Sequence, residues 1–153
     1  MKHILTCSFG KDSIATALLA LQHGEPLDEL VYSEVMFSDT VSGELPEHKR
    51  FIYETAIPYF EKRGIPTRVL RGQKTYLDCF YHIVSRGNAE GKLASFPLTG
   101  RCSIQRDCKL PPIRTYQKTL PQDTVYYLVF ASFSALSSST FLFKSITASS
   151  NSA

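Results

Sequence analysis

Short apolar runs alternate with segments of helical period along the N-terminal half of the chain. That alternation restricts the fold more than any other feature. Residues 3–8 (His-Ile-Leu-Thr-Cys-Ser) are a short apolar run ending near a glycine, which predicts a buried strand. Ile14, Ala17, Leu18 and Leu21 then recur at helical spacing, from Asp12 to a glycine stop at Gly24. Residues 30–37 (Leu-Val-Tyr-Ser-Glu-Val-Met-Phe) predict a second strand, and 39–44 a polar turn. Pro46 and Glu47 suit the first turn of a second helix, whose apolar face is Phe51, Ile52, Ala56, Tyr59 and Phe60. Pro58 has no amide hydrogen and predicts a kink there; Gly64 closes the helix. A third strand is expected over 67–70 and a third helix over 76–85, stopped by Gly87. The order β-α-β-α-β-α implies an α/β domain, a parallel, Rossmann-like sheet with helices on both faces. Right-handed crossovers place the first strand–helix loop at the carboxyl edge of such a sheet, where ligands bind.

Beyond the third helix the signals weaken. Residues 88–117, rich in Gly, Pro and Arg, predict a loop, and 125–130 a further strand. The character changes after Ala131: the last 23 residues hold nine serines and one charged residue, Lys144. Such sequence supplies neither a core nor a well-solvated helix. Residues 1–130 are therefore expected to form the domain, incomplete at its C-terminal side, and 131–153 a frayed or non-native tail.

The N-terminal apolar run is too short for a signal peptide, and no stretch approaches the length of a membrane helix. The four cysteines, with no export signal, then read as thiols or ligands and not as a disulfide frame, and a cytoplasmic location is expected. The net charge of +3 is concentrated: Arg86, Lys92, Arg101, Arg106, Lys109, Arg114 and Lys118 are opposed only by Glu90 and Asp107, giving 7 − 2 = +5. A local cationic patch on a near-neutral chain points to a specific anion more than to nucleic acid. No aromatic residues interleave with it in a stacking pattern, so nucleic-acid binding is not indicated.

The segment with most chemistry is Ser8-Phe9-Gly10-Lys11-Asp12-Ser13, between the first strand and the first helix. A helix start offers free amides and the positive end of the dipole; the serine hydroxyls, Gly10 and Lys11 suit an approaching phosphate. It is not a Walker A loop: Leu5 stands where that motif needs glycine, and Asp12 where it needs Ser or Thr. It resembles the PP-loop of ATP pyrophosphatases and phosphoadenosine phosphosulfate (PAPS) reductases, usually Ser-Gly-Gly-x-Asp-Ser. Phe9 replaces the first glycine. Residues 36–40 (Met-Phe-Ser-Asp-Thr), followed by 43–47 (Gly-Glu-Leu-Pro-Glu), resemble the second motif of that family, with two extra residues between Thr40 and Gly43. Residues 96–103 (Phe-Pro-Leu-Thr-Gly-Arg-Cys-Ser) and 107–113 (Asp-Cys-Lys-Leu-Pro-Pro-Ile) resemble its third, with Arg101 where an aromatic residue is common. The resemblance spans residues 3–128.

The resemblance implies an adenine nucleotide, ATP or PAPS/APS, with chemistry at its α-phosphate. Ser8, Phe9, Gly10, Lys11, Asp12, Ser13, Asp39 and Arg101 would form its binding site. Lys11, Asp39 and Lys109 would be the catalytic candidates, and Asp12 and Asp39 the candidates for Mg²⁺. A sulfur donor or a thioredoxin-like reductant would be the partner. Reductase members use a cysteine near the C-terminus, but none follows Cys108 here, and the paired-cysteine set of iron–sulfur members is absent. An iron–sulfur cluster is therefore not expected. Cys7 and Cys79 read as buried core thiols, while Cys102 and Cys108 lie in a basic segment that favours thiolates. His3, His23, His48 and His82 form no ligand or triad pattern. Two functions fit: an enzyme of sulfonucleotide reduction or adenylation-type group transfer, or a nucleotide-binding remnant without turnover. Neither the acceptor substrate nor the oligomeric state is legible.

Overall fold

The computed structural model describes residues 1–94, 102–134 and 137–146, with side chains as far as Tyr127 and backbone alone beyond it. The strands are β1 (His3–Thr6), β2 (Glu29–Glu34), β3 (Thr67–Arg71), β4 (Val125–Ser134) and β5 (Ser137–Ile146). The helices are α1 (Lys11–Gln22), α2 (Pro46–Phe51), α3 (Ile57–Glu61), α4 (Tyr76–Phe80) and α5 (Leu110–Gln117). The sheet runs β3-β2-β1-β4-β5: four parallel strands with helices between them, and β5 antiparallel at the edge. This is the α/β fold that the alternating pattern predicts. Among the described residues no helix is long and apolar enough to cross a membrane.

The chain divides into two compact units. The first is Met1–Tyr32, Arg50–Val69 and Thr119–Ala153; the second is Ser33–Lys49 and Leu70–Lys118. In the first unit the core joins Leu5 and Cys7 to Phe9, Ala17 and Ala20, to Leu30 and Tyr32, to Ile52 and Phe60, and to Tyr127. Every residue of β2, Glu29 to Glu34, is buried, as expected for a strand flanked on both sides. The buried Glu29 carboxylate is neutralised by Lys2 and by Arg68, at 2.7 Å.

The second helical segment carries a π turn just before its proline. Between α2 and α3, residues Ile52–Ala56 widen into a π turn, and the Ile57 amide donates to the Ile52 carbonyl five residues back. Pro58 then follows the π turn within the continuing helix. The same device recurs in the second unit. Gln105–Lys109 form a π turn, the Leu110 amide donates to the Gln105 carbonyl, and Pro111 and Pro112 occupy the first turn of α5. The loop expected over 88–117 is corrected accordingly: its C-terminal part is helical. Two adjacent prolines read as a breaker, yet here they follow a π turn and the helix continues through them.

The third helix is shorter than the expected 76–85. It ends at Phe80 because the backbone from His82 to Ala94 bonds to itself: Val84 to Lys92, Gly91 to Val84 and Ala94 to His82. Of the segment expected as a tail, 131–153, residues 135–136 and 147–153 lie outside the described residues. Strand β4 continues to Ser134, and β5 pairs with it from Val125↔Ile146 to Ser134↔Ser137. Runs such as Val-Tyr-Tyr-Leu-Val-Phe and Thr-Phe-Leu-Phe have the β-branched and aromatic composition of strands.

Candidate functional site

The sheet order itself marks a position. The chain adds β2 and β3 on one side of β1 and then returns to place β4 on the other. The direction of winding therefore reverses between β1 and β4, and open α/β sheets bind ligands outside the carboxyl ends of strands at such a reversal. The loop leaving β1 at that point is Cys7–Gly10, and α1 starts immediately after it.

The loop is tightly shaped from within. Phe9 has φ of +57°, the left-handed region that ordinary side chains avoid. Its ring is buried in the core of the first unit, edge-on to Tyr32 at 5.4 Å between centroids. Aromatic burial thus holds a strained turn in place. The amide of Phe9 donates to the Cys7 sulfur at 3.4 Å, and burial pushes the Cys7 thiol up from its ordinary value. Cys7 is the inert core thiol expected of it.

Past the turn, Gly10 begins α1 without a side-chain cap. Ile14 is the first helix residue whose amide bonds back, to the Gly10 carbonyl at 3.1 Å. The amides of Lys11, Asp12 and Ser13 have no acceptor among the described residues. Two hydroxyls flank them: Ser13 Oγ donates to the Gly10 carbonyl at 3.0 Å and lies 3.4 Å from the exposed Ser8 Oγ. Lys11 is 88% exposed, with its ammonium 3.1 Å from Asp12. Gly10 has an ordinary φ of −75°, and a Cβ there would meet nothing closer than Ser8 Oγ at 3.5 Å. Among the described residues nothing requires glycine at that position.

The remaining sequence-identified residues belong to the second unit. Met36 bridges to Ser42, the amides of Phe37 and Ser38 both donate to the Val41 carbonyl, and the Gly43 amide donates to the Val35 carbonyl at 2.8 Å. The two extra residues, Val41 and Ser42, are those that close this turn. Glycine is required at 43, because a Cβ there would lie 2.8 Å from the Val35 carbonyl oxygen. Asp39 stands exposed at the tip, its carboxylate without a partner among the described residues. Lys109 ends the second π turn; its carbonyl accepts from Ser33 Oγ at 3.0 Å, and its side chain is half-buried. Arg101 lies outside the described residues. The loop of the first unit therefore brings together Ser8, Gly10, Lys11, Asp12 and Ser13, and the second unit carries Asp39 and Lys109. Among the described residues no three of His, Cys, Asp and Glu cluster as metal ligands.

Sequence reasoning misses two groups. Glu34, fully buried at the end of β2, accepts from Ser42 Oγ at 2.6 Å and Arg71 Nε at 2.9 Å, with Lys49 at 3.8 Å. A charged residue within an apolar strand is the one signal of it. Cys108 is buried and touches Cys79, sulfur to sulfur, at 3.4 Å. Burial, with Cys79 beside it, pushes the Cys108 thiol up to about 12, so it is not the thiolate that its basic neighbours suggest. Cys102 is exposed. No family model matches the chain, and no curated protein or solved structure is significantly similar to it.

Proposed function

We propose that the chain binds an adenine nucleotide by its phosphates at the start of α1 and acts at the α-phosphate, in the manner of the PP-loop ATP pyrophosphatases and PAPS reductases that its motifs resemble. The observation that carries this reading is a helix start whose first three amides lack acceptors among the described residues, next to a glycine that the fold itself does not need. Close approach of a phosphate needs both: amides aimed outward, and no Cβ in the way. Lys11 adds an exposed cation, and the exposed Ser8 hydroxyl, with Ser13 beside it, adds a donor that rotates to suit an oxygen. The position beside the β1–β4 reversal supports the same reading. In this role ATP or PAPS/APS is the ligand, Asp12 and Asp39 are the candidates for Mg²⁺, and Lys109 and Arg101 are candidates to neutralise charge on the leaving group. A sulfur donor or a thioredoxin-like reductant would complete the sulfur-transfer variants.

Two assays separate binding from turnover. ATP, with and without Mg²⁺, raises the thermal midpoint of the full chain if the loop holds phosphates, because a ligand bound only to the folded state stabilises it. Release of pyrophosphate under the same conditions reports chemistry at the α-phosphate. A raised midpoint without pyrophosphate identifies a nucleotide-binding remnant; an unchanged midpoint at millimolar ATP refutes the nucleotide site.

A further inference from the structure

Cys79 and Cys108 lie 29 residues apart in sequence, and both converge on Thr75. Thr75 opens α4 with a reciprocal cap: its hydroxyl accepts from the Asp78 amide, and its own amide donates to the Asp78 carboxylate at 2.7 Å. The Thr75 carbonyl accepts from the Cys79 amide at 3.3 Å and from the Cys108 thiol at 3.4 Å. On the other side the Cys108 backbone is held close. A Cβ on Gly72 would run into the Cys108 carbonyl oxygen, and the next carbonyl, that of Lys109, accepts from Ser33 Oγ at 3.0 Å. Two sulfurs are therefore fixed 3.4 Å apart by backbone that is itself anchored. Both are free thiols, and both are buried, Cys79 at 4% and Cys108 at 1% exposure. As neutral thiols they share the space without repulsion, consistent with the Cys108 thiol being pushed up from its ordinary value.

We infer that Cys79 and Cys108 form an oxidative modification site, closing to an intramolecular disulfide by exchange with a low-molecular-weight disulfide such as glutathione disulfide. The step balances without any other reactant. One cysteine loses its proton and its sulfur attacks glutathione disulfide, forming a mixed disulfide and expelling one glutathione thiolate. The second cysteine then loses its proton and attacks the protein sulfur of that mixed bond, expelling the second thiolate. The two protons end on two glutathione thiols, the protein loses two electrons, and one glutathione disulfide is reduced. The sulfurs must close from contact to a bond of about 2.05 Å, a shift that side-chain rotation supplies when the helix carrying one of them is a single short turn. Helix α4 has five residues, so its local opening is the route by which the buried pair meets the oxidant. The bond would fasten α4 to the turn preceding α5.

The test uses the full-length chain incubated with glutathione disulfide, quenched in acid, unfolded, alkylated and mapped by mass spectrometry. The Cys79 and Cys108 thiols should cease to be alkylatable, and a peptide pair joined through them, lighter by two hydrogen atoms, should appear. Cys7 should remain alkylated, and the exposed Cys102 should be alkylated or carry a single glutathione. In Cys79→Ser the Cys108 peptide should stay alkylatable, whereas Cys102→Ser should leave the crosslink unchanged. The wild-type map needs no variant to fold. Alkylation of all four cysteines after oxidation, stable glutathione adducts in place of a crosslink, or a crosslink through Cys102 would each overturn the inference.

Discussion

The loops after β1 and β2 follow neighbouring parallel strands, yet they use their backbones in opposite ways. The second spends its amides on itself: Phe37, Ser38 and Gly43 all donate within the turn, and Glu34 ties Ser42 to the strand below. What it leaves for solvent is a side chain, Asp39. The first turns the amides of Phe9 and Gly10 inward, to the Cys7 sulfur and Ser8 Oγ, and leaves the three that follow unspent. Lys11, Asp12 and Ser13 point theirs away from any described protein acceptor, and the turn before them is held by burying the ring of Phe9, not by hydrogen bonds to a cap. A loop stabilised from inside by its own ladder presents carboxylate; one stabilised by a core anchor presents free amide hydrogens. The second kind is suited to receiving an anion.

The largest effect that tests this contrast lies at Phe9. Phe9→Ala removes the buried ring and keeps a Cβ at positive φ, and it should cost about 4 kcal/mol in urea unfolding. Phe9→Gly loses the same ring but relieves the backbone, so it should be more stable than the alanine variant by about 1 kcal/mol. If glycine proves the worse of the two, the turn is not strained and the contrast fails. Next comes the anchor of the second loop. Arg71→Ala leaves the fully buried Glu34 carboxylate with the Ser42 hydroxyl and a Lys49 ammonium at 3.8 Å. A loss of about 3 kcal/mol is expected, and it should be recovered in large part by Arg71→Ala combined with Glu34→Gln. Gly43→Ala comes third, at about 2 kcal/mol, since the new Cβ collides with backbone that cannot rotate away.

A smaller difference between the two units emerges only in alkali. In the first unit the Tyr127 hydroxyl donates to the Pro26 carbonyl at 2.8 Å, and burial, with Glu25 nearby, pushes it up to about 12. A group raised in the folded state stabilises fully below its unfolded value. This contribution is therefore complete below about pH 10 and is lost as pH climbs towards 12. Cys108 adds a similar loss in the second unit, beginning nearer pH 9. Tyr127→Phe should flatten the stability–pH curve above pH 10 and leave the Cys108 part in place. An unchanged alkaline slope in that variant would remove Tyr127 from the account.

The parts legible in the sequence are those with a period. The strands β1 to β3, the start of β4, and α1 each rest on a run of apolar residues whose spacing matches their geometry. Helix α5 is hidden because Pro111 and Pro112 read as a breaker, and the π turn that makes room for them leaves no trace in residue types. The extent of α4 depends on hydrogen bonds from His82 to Ala94, which no local pattern reveals. Within the candidate site the Gly-Lys-Asp-Ser start is readable from motif and position. The strain is not: glycine at 10 looks like the permissive residue, whereas positive φ falls on Phe9. The Cys79–Cys108 contact joins positions too distant in sequence for spacing rules to find, and the Glu34 cluster likewise comes from tertiary packing.

Gly10→Ala offers the sharpest single measurement, because the protein has room for the methyl group and a bound phosphate would not. As a helix start, alanine should cost no more than about 1 kcal/mol in urea unfolding. Titrated with ATP by calorimetry, the wild-type chain should bind saturably and the Gly10→Ala chain at least about tenfold more weakly, a loss of about 1.4 kcal/mol. Equal affinity in the two folded chains, or no heat of binding in either, would contradict a phosphate cradle at the start of α1.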